Sequence, residues 1–505
     1  MDLDLLQNVY FGFSVALAPV NLLSCLLGVL IGTLIGVLPG IGPVTTITLL
    51  MPITFGMPPE SAIILLAGIF YGAQYGGSTT SILVNIPGES SSVVTCIDGY
   101  QMARRGRAGI ALGISAIGSF VGGSASVVGL MILAPTLSRL ALKFGPPEYF
   151  ALMFLAMVIL TFLAKEAMIK SLIVAALGLF LGTIGIDLVS GSQRFTYGSL
   201  VLMDGIGMVP VALGLFGVAE VLANLESAEA REVFKSEIKG LLPRWEDWKA
   251  SIGAMIRGSF IGFFLGILPG GGVVMSSFTS YAVEKRVSKK PEEFGQGAIA
   301  GVAGPETANN AATGGAMIPL LALGIPPNIS TALLLGVMLM HGVRPSPFLV
   351  TEHPQVFWGV ICSMYAGNVL LLVLNLPLIG LWVKLLKTPY SILFPMILLF
   401  CLIGGYTINS NVYEVLIMLV FGGLGYIMRK SGFPQAPFVF ALIIGPIMET
   451  AFRQSLLTSR GGFSIFFTRP ISAVLILFGI ALLLLPLMKK GQGRKKVIEE
   501  LDSDI

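Results

Sequence analysis

Glu306, Asn309 and Asn310 stand at i, i+3 and i+4 in an otherwise apolar stretch, and residues so spaced share one helical face. A carboxylate and two amide oxygens converging there could hold a cation, while the amide N–H groups could reach a substrate carboxylate. Two plainer readings compete. Glu306 follows Gly304-Pro305, so it could start a helix and offset its dipole, or it could sit at a membrane edge. An ionisable group inside an apolar run is costly and commonly marks a pathway, which makes Glu306, Asn309 and Ser81 the expected ion-coupling set. A second polar group comprises Ser78, Thr79, Thr80 and Ser81, with Asn85-Ile86-Pro87-Gly88 shortly after. Hydroxyls and amides can simply bond neighbouring helices, but their density favours a binding site at Ser78, Thr79, Thr80, Asn85, Asn309 and Asn310.

Two glycine-proline strings complete the candidate set, Leu38-Pro39-Gly40-Ile41-Gly42 and Leu268-Pro269-Gly270-Gly271-Gly272. Bare backbone at membrane depth is tolerated only where protein or a watery cavity surrounds it. Helix N-termini beginning there can donate N–H groups to an anion. Pro39, Gly40 and Gly42, with Pro269, Gly270 and Gly271, are therefore expected to bind substrate. Asp98 and His341 end apolar runs and could titrate, although an interfacial position explains them equally well.

The elements that must hold these residues are helices in a bilayer. Of 505 residues 55% are hydrophobic and 11% charged, against about 25% charged in soluble domains, and mean hydropathy is +0.88. The charges are clumped, with 11 in 226–249, 7 in 284–293 and 9 in 489–505. Long apolar runs between short polar loops describe a polytopic helical membrane protein. Runs long enough to span lie near 109–133, 148–164, 168–186, 356–380, 389–408, 411–428, 436–452 and 470–487, with a shorter one near 206–222. The four cysteines form no CxxC pair and the two histidines, His341 and His353, make no metal centre, so no metal and no cofactor is expected. No GxxxxGK[ST] phosphate loop occurs, and the basic tail fits positive-inside topology better than nucleic acid. The N-terminus has no basic n-region or small-residue cleavage site, so no removable signal peptide is expected.

The chain is internally duplicated. Gly28, Gly32, Gly36, Leu38, Pro39, Gly40 and Gly42 recur 230 residues later as Gly258, Gly262, Gly266, Leu268, Pro269, Gly270 and Gly272. Gly76-Gly77 and Ile86-Pro87 likewise recur as Gly314-Gly315 and Ile325-Pro326. The expected organisation is a first membrane repeat over 1–224, a charged cytoplasmic linker over 225–249, a second repeat over 250–488 and a cytoplasmic tail over 489–505. Loop 52–60 carries no Lys or Arg, whereas its counterpart carries Lys285, Arg286, Lys289 and Lys290; Arg104, Arg105 and Arg107 face only Arg344. Equivalent loops therefore fall on opposite sides, the mark of an inverted-topology repeat. The predicted fold is all-α, with two inverted repeats, each containing a re-entrant hairpin and a broken helix. The hairpins, 20–52 and 258–284, are expected to have arms of roughly 12–17 residues. The N-terminus is placed outside and the C-terminus inside.

At these blocks the sequence resembles the large membrane subunit of the tripartite tricarboxylate transporters. The resemblance rests on GTLIGVLPGIGPVTTITLLMPITFGMPPESAIILLAGIFYGAQYGGSTTSILVNIPGES, DGYQMARRGRAGIALG, ILPGGG, KKPEEFGQGAIAGVAGPETANNAATGGAMIPLLALGIP and HGVRP. It implies a multi-pass permease of the bacterial inner membrane that imports citrate or a related di- or tricarboxylate by symport with sodium or protons. It further implies a small membrane subunit and a periplasmic solute-binding protein as partners, and a translocation site built from the tips and the polar blocks. Pro326-Pro327 stands where the family often has Pro-Gly. An intramembrane enzyme is a weaker alternative, because acid-base partners are scarce. A passive channel is disfavoured by the inverted repeat, and a poreless scaffold subunit is a further alternative, which predicts that mutations at the tips leave uptake intact.

Overall fold

The computed structural model describes residues 2–38, 42–141, 143–163, 168–187, 190–226, 240–270, 272–385, 390–407 and 410–484. Pro39, Gly40 and Gly271, the centre of the charged linker and the basic tail lie outside these residues. The chain forms two compact units, Met1–Ala141 with Gly207–Ser431, and Leu142–Ile206 with Gly432–Ile505. Each half of the sequence duplication contributes to both.

In chain order the helices begin with α1 (Asp2–Ala16), α2 (Pro19–Val37), α3 (Gly42–Leu50), α4 (Pro59–Val84), α5 (Val93–Met102) and α6 (Ala108–Ala141). The second unit starts with α7 (Pro146–Leu163), α8 (Met168–Leu181) and the one-turn α9 (Leu200–Met203). The first resumes with α10 (Met208–Ala212), α11 (Ala219–Glu226), α12 (Trp245–Ile267), α13 (Gly272–Val287), α14 (Ala300–Leu323) and α15 (Ile329–Met340). It ends with α16 (Leu349–Glu352), α17 (Pro354–Asn375), α18 (Ile379–Leu385), α19 (Tyr390–Thr407) and α20 (Val412–Lys430). α21 (Gln435–Thr458), α22 (Ile465–Thr468) and an apolar helix over Pro470–Leu484 complete the second unit. The fold is not purely helical as expected. A short antiparallel pair, β1 (Gly185–Ile186) and β2 (Gln193–Arg194), follows α8, and beside it Asp187 accepts Arg194 at 2.8 Å and Arg453 at 2.6 Å.

Among the described residues six helical segments are long and apolar enough to cross a bilayer: Pro19–Val37, Ser90–Arg139, Trp245–Ile267, Pro354–Asn375, Val412–Lys430 and Gln435–Thr458. Two of these, α2 and α12, lie wholly or partly in the glycine-rich regions that the hydropathy pattern does not resolve into spans. Their 19 and 23 residues exceed the arm length expected from sequence, because the helices extend back beyond the glycine motifs. In α12 the outward stripe is Ile252, Ile256, Phe260 and Phe264, each 53–64% exposed. The inward stripe is Gly258, Gly262 and Gly266, all buried. Large apolar groups outside and glycine inside is the arrangement for helices that meet lipid on one face and a close neighbour on the other.

The glycines set the helix pairs. A Cβ at Gly28, Gly32 or Gly36 would lie 2.3–2.7 Å from the carbonyl oxygens of Leu65, Ile69 and Ala73 on α4. At Gly258, Gly262 and Gly266 it would lie 2.0–2.6 Å from those of Gly304, Ala308 and Ala312 on α14. The duplicated motif thus makes the same contact twice, α2 on α4 and α12 on α14. Backbones this close exclude any side chain. As a result α4 from Ser61 to Leu83 and α14 from Gly301 to Leu323 are buried residue by residue, and both polar blocks are carried on these two interior helices.

Candidate functional site

Both interior helices stop abruptly, and the stop is written in sequence. α4 ends at Asn85, whose φ of 58° is left-handed, and Pro87 cannot continue a helix. α14 ends at Gly324 with φ 70°; its N–H bonds Leu320 O at 3.0 Å and that of Ile325 bonds Pro319 O at 3.1 Å, a glycine-closed terminus. Each break meets a tip segment of its own half. A Cβ at Gly88 would lie 2.1 Å from Gly36 O and 2.5 Å from Gly77 Cα, so only glycine fits. In the second half Gly270, at φ 100°, donates its N–H to Pro327 O at 2.7 Å. The departure at Pro326-Pro327 therefore leaves a usable acceptor, and Asn328 then caps α15 by accepting from Thr331 N at 2.9 Å.

Between the interior helices lies Glu306, fully buried. The chain is already helical before Pro305, since Ala303 N bonds Ile299 O at 2.9 Å. Glu306 is therefore in the body of α14, which overturns the helix-start reading. Its Oε2 accepts the Ser78 hydroxyl of α4 at 2.5 Å, and its Oε1 accepts the Thr95 hydroxyl of α5. Ser115 and Ser119 of α6 lie beside the same carboxylate. Asn310 Nδ2 donates to Glu306 O at 3.0 Å and to Asn309 Oδ1 at 2.5 Å. That leaves Asn309 Nδ2 and Asn310 Oδ1, both buried, without partners among the described residues. A buried polar atom left unpaired costs about 1–3 kcal/mol, an arrangement that a bound ligand would relieve.

The other candidates separate. Thr80 donates to Gly36 O at 3.4 Å and Val37 O at 3.2 Å, which satisfies the end of α2. Ser81 donates to Gly77 O of its own helix at 3.0 Å, and Thr79 is buried. Asn85 is exposed as the terminator of α4. Gly42 opens α3 at φ 62° with open space around it, and Pro269 is half-buried at its tip. His341 follows α15 as its C-cap. Asp98 is fully buried; its Oδ1 accepts the N–H groups of Gly295, Gly297 and Ala298 at 2.7–2.9 Å and its Oδ2 the Tyr281 hydroxyl at 2.9 Å. It clamps α5 of the first half to the segment leading into α14 of the second. A cleft of about 460 Å³ in the second unit is lined by the Asp187, Arg194, Glu449 and Arg453 network, whose charges neutralise one another.

Thr95, Ser115, Ser119, Gln74 and Glu89 escaped the reading from sequence. Gln74 and Ser78, Ser91 and Thr95, Ser115 and Ser119, and Glu306 and Asn310 are all pairs four apart. Polar residues at i and i+4 in apolar helices would have revealed them.

Helices with lipid-facing apolar stripes around two buried helices rich in polar groups define a multi-pass membrane protein with a polar interior, the architecture of a transporter. The tripartite tricarboxylate transporter TctA family matches residues 22–440, and the chain belongs to that family, as a large membrane subunit of a bacterial transporter for tricarboxylates. It is a family of transporters, not of enzymes. The chain is 50% identical over 501 residues to an uncharacterised 52.8 kDa protein in the TAR-I ttuC' 3' region of Agrobacterium vitis, covering 99% of this chain and 100% of that protein. It is 49% identical over 234 residues to an uncharacterised protein in the TAR-II ttuC' 3' region of the same bacterium, covering 46% and 97% respectively. No solved structure matches.

Proposed function

We propose that this subunit is a secondary active importer of citrate or a related di- or tricarboxylate, driven by a sodium or proton gradient, with Glu306 carrying the coupling cation. The observation that carries this reading is the Glu306 carboxylate, fully buried and held by hydroxyls of two other helices. Isolated charge in such a place is unaffordable, so a proton or cation must accompany it during the cycle. Moving a trianion inward against 100 mV costs about 7 kcal/mol at about 2.3 kcal/mol per charge, and co-transported cations offset that cost.

The broken ends of α4 and α14, the start of α3 at Gly42 and the unpaired Asn309 Nδ2 supply N–H donors for the substrate. The duplicated packing of α2 on α4 and α12 on α14 supports two inverted repeats whose hairpins enter from opposite faces. A periplasmic binding protein delivers substrate and a small membrane subunit completes the assembly, with the N-terminus periplasmic and the tail cytoplasmic.

The test is labelled citrate uptake by proteoliposomes containing this chain and its partner subunits, under imposed sodium or proton gradients. Glu306→Gln is expected to abolish uptake or its ion dependence while the folded yield stays normal. Unchanged ion dependence in that variant would remove Glu306 from the site, and gradient-independent equilibration in the native protein would make it a channel.

A further inference from the structure

Glu89 lies in the break after α4, one helical turn from the Glu306 cluster, and no role has yet been given to it. Its Oε1 accepts the Ser91 hydroxyl. In the orientation that satisfies both ends of the amide, Gln74 of α4 donates to Glu89 Oε1 at 2.7 Å and to Ser91 Oγ at 2.8 Å. Gln74 stands four residues before Ser78 and Ser91 four before Thr95, so the Gln74, Ser91 and Glu89 tier sits about 6 Å along the helices from the Ser78, Thr95 and Glu306 tier. The two carboxylates are within electrostatic reach of each other. Neither has a Lys, Arg or His partner among the described residues, and the other titratable groups near Glu306 are Tyr75 and Cys96, neutral when protonated.

We propose that Glu89 is a second cation-carrying carboxylate in series with Glu306, so that the polar cluster between α4, α5 and α14 takes up two monovalent cations, sodium ions or protons. The proposal rests on the reading of Glu306 as a coupling residue. Glu89 is half-buried and Glu306 fully buried, and two carboxylates about one helical turn apart with no basic group bonded to either repel each other unless a positive partner joins them. An independent observation points to a ligand. Asn310 Oδ1, buried one turn along α14 from Glu306, has no hydrogen-bond partner among the described residues, so an oxygen ligand remains open. Two cations also suit the charge of the cargo, since they reduce a trianion to a single net charge during the crossing.

The test counts cations on the purified full-length chain without substrate. One arm measures equilibrium binding of radioactive sodium, and the other uses infrared difference titration to count protonated buried carboxyls. The native chain is expected to take up two cations over the two arms combined, Glu89→Gln one, Glu306→Gln one and the double variant none, while Glu89→Asp keeps two. A count that stays at two in Glu89→Gln overturns the proposal and leaves Glu306 in place. A count unchanged by Glu306→Gln overturns the coupling reading itself. Should Glu89→Gln not fold, the native count decides, because a single cation per chain excludes a second site.

Discussion

Ser78 and Thr95 do more for this protein than their size suggests, because each gives a hydroxyl to a carboxylate that no water reaches. A hydrogen bond to a charged group is worth about 1.5–3 kcal/mol. Because that bond stabilises the cation-free carboxylate, Ser78→Ala is expected to lower the ion concentration needed for half-maximal uptake by about 10- to 100-fold. Adding Thr95→Ala should shift it by less than the product of the two, since both act on one carboxylate; ion titrations of citrate uptake check both points. Asp98 shows the opposite use of a buried acid. With three backbone N–H groups and a tyrosine hydroxyl on it, it has no valence left for a ligand. Asp98→Ala strands those donors and is expected to cost about 3 kcal/mol or more of stability, seen as a lowered melting temperature in detergent.

At the scale of elements, glycine plays two separable parts. Gly262 is an approach glycine, with Ala308 O 2.0 Å from where its Cβ would be, so Gly262→Val forces α12 off α14. Overpacking of this kind costs about 1–3 kcal/mol or more, and the expected result is loss of the monodisperse peak in size-exclusion chromatography. Gly270 is a conformational glycine, at a φ of 100° that valine rarely adopts. Gly270→Val is expected to leave insertion and yield intact while abolishing uptake, because only the tip and its bond to Pro327 are disturbed. Equal loss of folded protein in both variants would show that the tip is merely packing.

Over the whole molecule, topology follows from where the charges fall. Basic groups cluster in the loop after α13, at Lys285, Arg286, Lys289 and Lys290, and are missing from 52–60 after α3. Single cysteines placed at Met57 and Ser288 are expected to react with impermeant reagent from opposite sides of the membrane. Labelling of both from one side would make the two repeats parallel and remove the basis for alternating access through opposed hairpins.

Sequence alone determined that the chain is a helical membrane protein, that its glycine blocks are duplicated and that Glu306 is a carboxylate set among apolar residues. Each of these is local: hydropathy, a repeated string, and the cost of a carboxylate among apolar neighbours can all be read within a few tens of residues. The ends of α4 and α14 carry local signals too, since Asn85 with Pro87 and Gly324 with Pro326 are stop signals wherever they occur, although only a broken helix in each repeat was expected. Tertiary structure decided what Glu306 touches. Ser78 and Thr95 are 228 and 211 residues away along the chain, and only the packing of α4, α5 and α6 against α14 brings them together. It likewise separated Asp98 from the candidates and gave Glu89 a neighbour. A carboxylate's role is set by the donors around it, and for Glu306 and Asp98 those donors come from the far half of the sequence.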